Sequence, residues 1–180
     1  MDNIPNYWKT SLSDIEETLK LIQKGKIVKQ SSSAGKRPIY LISYGTDNSL
    51  NRTANLSSAL GAGEKNCYAD KSSPDYRPTI LLAGCIHGGE FEGVAALLNL
   101  IKLIETGKDY NEEGNEFLKT ACKNTNILII PCLNPDGRSR IDFSTMVGKT
   151  FDELRYYNQG TWKDGSSCGY PECKKIHPIK

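Results

Sequence analysis

The segment Cys85-Ile86-His87-Gly88-Gly89-Glu90-Phe91-Glu92-Gly93 holds one of the chain's two histidines, with a carboxylate three residues later. Imidazole nitrogen and carboxylate oxygen are ordinary zinc donors. A catalytic zinc takes three protein ligands and keeps a fourth position for water or substrate. The His-x-x-Glu spacing is short and recurs by chance, so the bare pattern equally describes a hydrogen-bonded histidine beside a surface acid. Its setting says more. The apolar run TILLAG precedes it, two glycines permit a tight turn and close backbone approach, and an amphipathic segment follows. In α/β sheets, ligands bind at the carboxyl ends of strands, which is where this pair would lie. A second cluster, Asn134-Pro135-Asp136-Gly137-Arg138, ends another apolar run. Proline fixes φ and glycine admits positive φ, so NPDG is a tight turn, expected at the mouth of the neighbouring strand.

A third constellation is Cys168, Cys173 and His177, spaced C-x4-C-x3-H. It could hold a structural zinc, although no fourth ligand is evident; a local disulfide or two free thiols are the plainer alternatives. The other four cysteines are Cys67, Cys85, Cys122 and Cys132. Cys85 and Cys132 sit in apolar runs, where a free thiol behaves as a small buried hydrophobe. The spacings are not those of a small disulfide scaffold.

The elements that must position these residues follow from patterning. Residues 13–24 form a helix, with Ser13 and Glu16 as a capping box and Leu12, Ile15, Leu19 and Ile22 on one face. Residues 26–30 and 38–44 pair as a hairpin across a Ser/Gly loop. Residues 46–77 are a polar connection with a short helical piece at 54–60. Residues 79–86 are apolar on both faces, as a strand covered on both sides requires. Residues 90–105 are a helix with a broad apolar face, and 115–122 a shorter one. Residues 126–133 are a second buried strand, interrupted by Pro131. Strand, helix, strand in this order predicts a parallel pair with a right-handed crossover. The fold class is therefore α/β. Residues 134–180 show little patterning, unusual within a complete compact domain.

With 180 residues the chain suffices for one domain, residues 1–180. Its 38% hydrophobic and 24% charged content is globular and excludes a disordered tail. A net charge of +2 gives no basis for binding nucleic acid or an anionic membrane. No apolar run is long enough to span a bilayer. The N-terminal MDNIPNYWKTSLSD lacks the profile of a secretion signal, which predicts a soluble, cytoplasmic protein. Oligomeric state is not encoded in any of these features.

Three stretches together carry a resemblance. GKRPIYLISYG at 35–45, RPTILLAGCIHGGEFEG at 77–93 and NILIIPCLNPDGR at 126–138 resemble, in kind, order and approximate spacing, the zinc carboxypeptidases of the carboxypeptidase A type. The likeness covers residues 13–138. It implies a mixed central β-sheet flanked by helices and hydrolysis of the C-terminal bond of a peptide substrate. It implies Zn2+ as cofactor, with His87 and Glu90 as two of its ligands. In such enzymes the zinc polarises the scissile carbonyl and lowers the pKa of a bound water, and a basic residue beyond the NPDG turn stabilises the oxyanion. The family uses arginine there, often beside tryptophan. Trp162-Lys163 is the best match, which makes Lys163 the expected catalytic cation. This is a departure, because lysine lacks arginine's bidentate fork. Arg138, Arg140 and Arg155 compete for that role, each read as a solvated surface charge rather than a catalytic group.

The family's third ligand histidine, its general-base glutamate and its Asn-Arg pair for the substrate carboxylate are not recognisable before Lys180. The expectation is therefore an N-terminal portion of a catalytic domain, incomplete at its C-terminus, binding zinc weakly and catalysing poorly alone. His177 lies at a distance better suited to the related aspartoacylase and desuccinylase enzymes, zinc amidohydrolases that share the HxxE pair. The hairpin and the NPDGR turn suit the carboxypeptidases better. A non-catalytic zinc-binding module using Cys168, Cys173 and His177, or a fold retained without chemistry, are the other readings.

Overall fold

The computed structural model describes residues 4–46, 74, 76–164 and 166. The helical piece expected at 54–60 lies outside the described residues, as do Cys168, Cys173 and His177.

Helix α1 spans Leu12–Leu19. Its capping box is Ser11 and Asp14, two residues earlier than the Ser13/Glu16 box expected: Ser11 Oγ accepts from the Asp14 amide at 3.0 Å. Asp14 Oδ2 accepts from the amides of Ser11 at 2.8 Å and Thr10 at 2.9 Å. The short aspartate reaches both orphan donors at once, and so sets the start. Strands β1 (Lys26–Ser32) and β2 (Pro38–Tyr44) form the expected antiparallel hairpin, with a bulge between Lys29 and Ser31. Strand β3 is Thr79–Ala83. Helix α2, Phe91–Thr106, ends at Gly107, whose φ of 86° and bond to the Leu103 carbonyl make a left-handed cap. Helix α3, Glu116–Lys123, is capped by Asn115. Strand β4 is Asn126–Ile130, stopped by Pro131. The one-turn helix α4, Pro135–Arg138, and helix α5, Phe151–Asn158, follow.

Among the described residues these strands make one mixed sheet in the order β1-β2-β4-β3. β4 is antiparallel to β2 and parallel to β3. This is the α/β architecture expected, with α2 as the crossover between β3 and β4. One face carries Ile42, Tyr44, Ile127 and Ile129 and is buried against Ile15 of α1 and Val94, Leu97, Leu98 and Ile101 of α2. β3 departs from expectation. It is an edge strand, with Ile80 47% and Leu81 59% exposed. The doubly apolar pattern of TILLA was read as cover on both faces; within the described residues that cover is not there. No helix among them is long and apolar enough to cross a membrane.

Candidate metal centre

β3 delivers the chain to the site. Past Ala83, Gly84 keeps the ladder going by donating to the Ile130 carbonyl at 3.0 Å. Cys85 then turns the backbone through φ 52°, and His87-Gly88-Gly89-Glu90 closes as a turn with the Glu90 amide on the His87 carbonyl at 3.1 Å. Glu90 is the N-cap of α2, but its side chain makes no capping bond; it turns to His87 instead. His87 Nδ1 and Glu90 Oε1 are 2.7 Å apart, and Glu90 Oε2 accepts from the His87 amide at 3.0 Å. Both side chains are about half exposed, 54% and 47%, so the pair faces solvent at the carboxyl end of a parallel strand. Burial raises the Glu90 carboxyl, but the His87 ring, the His87 amide and the ring's charge outweigh it and hold Glu90 below its usual range.

The glycines between the two ligand candidates are there for contact. A Cβ on Gly88 would fall 2.3 Å from the Tyr157 carbonyl oxygen and 2.5 Å from the Gly137 carbonyl carbon. The CIHGGE turn is thus pressed against both α4 and the end of α5. Asn158, the last residue of α5, joins them: its Oδ1 accepts from the Gly89 amide at 3.2 Å and its carbonyl from Asn134 Nδ2 at 3.1 Å. Behind the turn Phe91, Phe143 and Tyr157 pack as an aromatic cluster.

The NPDG segment is a helical turn: Asn134 Oδ1 caps it by accepting from Gly137 N at 2.9 Å. Gly137 does not have positive φ as expected. A Cβ there would lie 2.6 Å from the Gln159 carbonyl oxygen, so glycine is required by close approach. Asp136 is a tie to the hairpin that sequence reasoning missed. Its carboxylate accepts from Ser33 Oγ at 2.8 Å, Gly35 N at 2.9 Å and Arg37 Nη1 at 2.9 Å. Burial raises its carboxyl, but these donors together with the Arg37 charge hold it below the usual aspartate range.

The arginines are not the solvated charges expected. Arg138 is 3% exposed, lies 4.2 Å from the Phe91 ring centre, and donates from Nε to the Thr10 carbonyl at 2.7 Å. Its flat, weakly hydrated guanidinium suits that buried stacked place. Arg140 is half-buried and donates to the Gln159 and Gly160 carbonyls, fixing the chain after α5. Arg155 lies over Phe151. Lys163 is exposed on the turn after Thr161, beside Trp162, itself 39% exposed.

The donor set at the turn suits zinc: one imidazole and one carboxylate, convergent and accessible. Two donors are one short of a catalytic set, and among the described residues no group of three or more His, Cys, Asp or Glu side chains could hold a metal.

Among curated proteins none matches the chain. Solved structures do. A metallo-carboxypeptidase from Burkholderia cenocepacia aligns with a TM-score of 0.50 and 16% identity, over 87% of this chain and 31% of its own. Carboxypeptidase A from Helicoverpa armigera aligns with a TM-score of 0.50 and 15% identity, over 86% of this chain and 30% of its own. Both share the fold, and this chain spans under a third of either. A sequence profile of the zinc carboxypeptidases matches residues 16–166, most of the chain and all of the candidate centre. The chain belongs to the zinc carboxypeptidase family.

Proposed function

We propose that the chain is the N-terminal portion of a metallocarboxypeptidase catalytic domain that hydrolyses the C-terminal bond of a peptide, with Zn2+ held in part by His87 and Glu90. The observation that carries this is the 2.7 Å approach of His87 Nδ1 to Glu90 Oε1 at the carboxyl end of β3. When bound, zinc supplies Lewis-acid polarisation of the scissile carbonyl and activation of water. The chain's own residues do the rest. The His87 amide pins Glu90 Oε2, leaving Oε1 to face the imidazole. To hold the metal, His87 would present a ring nitrogen without its proton, the other nitrogen keeping its N–H. Asn158 and Gly88 hold the turn against α4 and α5. Lys163, exposed at the end of its four-carbon stem, stabilises the developing oxyanion as a point charge.

Elemental analysis of zinc on the chain, His87→Ala and Glu90→Gln tests this. Zinc in the wild type and loss in both variants is the expected result. Zinc that survives His87→Ala and disappears with Cys168→Ala would move the metal to the cysteine loop. Absence of zinc from every preparation would leave a fold without a metal site. In a protein carrying the complete site, Lys163→Ala should lower kcat by roughly 10²–10³ with zinc content unchanged.

A further inference from the structure

Helix α1, strand β2 and the chain after β4 enclose a cavity of about 210 Å3. Neither His87, Glu90 nor Asn158 lines it, so it is separate from the metal centre. Leu12, Ile15 and Glu16 reach it from one face of α1, at helical spacing. Tyr40 reaches it from β2 and Pro131 from the end of β4. The hollow is therefore mostly apolar, with Glu16 and Arg37 as the charged side chains on its lining. A closed cavity of about 150 Å3 holds benzene, so this one has room for a branched aliphatic or phenyl side chain.

The two charges do not satisfy each other. Among the described residues Arg37 has one carboxylate partner, Asp136, which it meets through Nη1 alone at 2.9 Å. Glu16 is exposed and forms no ion pair. Asp136 is buried and also holds Ser33 and Gly35, so it fixes where Arg37 stands without using its Nε or Nη2 donors. The Arg37 side chain is 40% exposed, which leaves those donors open to a ligand. A guanidinium, a carboxylate and an apolar hollow on one cavity complement a molecule with an anion, a cation and an apolar group. A fatty acid would answer Arg37 and leave Glu16 without a partner. An alkyl amine would do the reverse.

We propose that this cavity binds a free α-amino acid with an apolar side chain, its carboxylate on Arg37, its ammonium on Glu16 and its side chain against Leu12, Ile15 and Tyr40. Its meaning as a product site rests on the proposed function, because cleaving the C-terminal bond of a peptide releases such a molecule. The placement suits that meaning. Pro135 on the cavity lining is the first residue of α4, and Gly137 of α4 is pressed against Gly88 of the metal turn.

The test is isothermal titration calorimetry of the metal-free chain with three probes: L-leucine, 4-methylpentanoate, which lacks the ammonium, and L-leucinamide, which lacks the carboxylate. Removing metal first keeps the probes from binding through zinc. Leucine should saturate the chain, and each analogue should bind about tenfold more weakly, as for one lost charge-assisted contact. Glu16→Gln should weaken leucine about tenfold and leave 4-methylpentanoate no weaker. Arg37 is tested through leucinamide, since replacing it would also strip a partner from Asp136. No saturable leucine binding at millimolar concentration overturns the site, and this arm needs no variant to fold. Leucine that binds no better than the analogues overturns the amino-acid class. Equal leucine affinity in wild type and Glu16→Gln overturns the placement. Zinc analysis of the untreated chain judges the proposed function separately: leucine binding in this pattern without zinc keeps the site and overturns its reading as a product site.

Discussion

Asp136 shows how a residue read as part of a turn becomes a joint. It is buried, and its carboxylate accepts three hydrogen bonds from the loop between β1 and β2. Hydrogen bonds to a buried charge contribute about 1.5–3 kcal/mol each when lost, so Asp136→Asn should lower stability by roughly 2 kcal/mol at neutral pH, measured by urea unfolding. The folded-state pKa is depressed below the ordinary 3.8. The contribution is therefore complete above pH 3.8 and lost as pH falls through the lower folded value. Wild type should lose stability across that acid window, and Asp136→Asn should lose less. Gly88 offers a sharper test of contact. An added methyl meets the backbone of Tyr157 and Gly137, neither of which is the end of a flexible side chain. Gly88→Ala should cost about 1–3 kcal/mol by overpacking. Gly93→Ala, inside helix α2, would bring its methyl no closer than 3.4 Å to Gly84 Cα, and should instead stabilise by about 0.5–1 kcal/mol. Thermal melts of the two variants decide it; equal losses would mean the Gly88 contact is not as tight as described.

At the scale of elements, legibility tracked period and punctuation. The hairpin, α2 and the β3/β4 pair were readable because alternation or a 3.6-residue stripe runs through each, and Pro131 and Gly107 mark where two of them stop. The ligand pair was readable as a position, the turn between such a strand and helix. Helix α5 was not readable. FDELRYYN has no buried residue, so it has no apolar stripe to see, and its signals are local: a capping box from Thr150 to Glu153. Asn158 was missed for the same reason, since an asparagine at a helix end is ordinary until the Gly89 amide is seen against it. Buried Arg138 was missed because its partners, Thr10 and Phe91, are distant in sequence. The local signals of α5 still have a consequence. Thr150→Ala removes the cap and should cost about 1 kcal/mol. If α5 holds the metal turn through Asn158, amide hydrogen exchange at Gly89 should accelerate along with that of α5. Faster exchange in α5 alone would show that the turn stands without it.

At the scale of the whole molecule, the sheet has two unlike edges. β1 carries Lys26 and Lys29 and a bulge, features that oppose further strand pairing. β3 is Thr-Ile-Leu-Leu-Ala, with no charge, no proline and no bulge, and Ile80 and Leu81 are exposed. An uncharged apolar strand that has no partner on its outer side among the described residues is a template for another strand. The solved carboxypeptidases that share this fold are about three times as long as the part this chain matches, so in a longer protein that edge has material available to cover it. The chain by itself should self-associate through β3. Sedimentation velocity over a range of concentrations should show this, and Leu81→Lys should shift the chain toward monomer. An exposed substitution changes stability by only about 0.5 kcal/mol, so the melting temperature should stay nearly fixed. If Leu81→Lys instead unfolds the chain, β3 is packed against part of this sequence rather than open. If association is unaffected, it runs through another surface, and the edge is already protected.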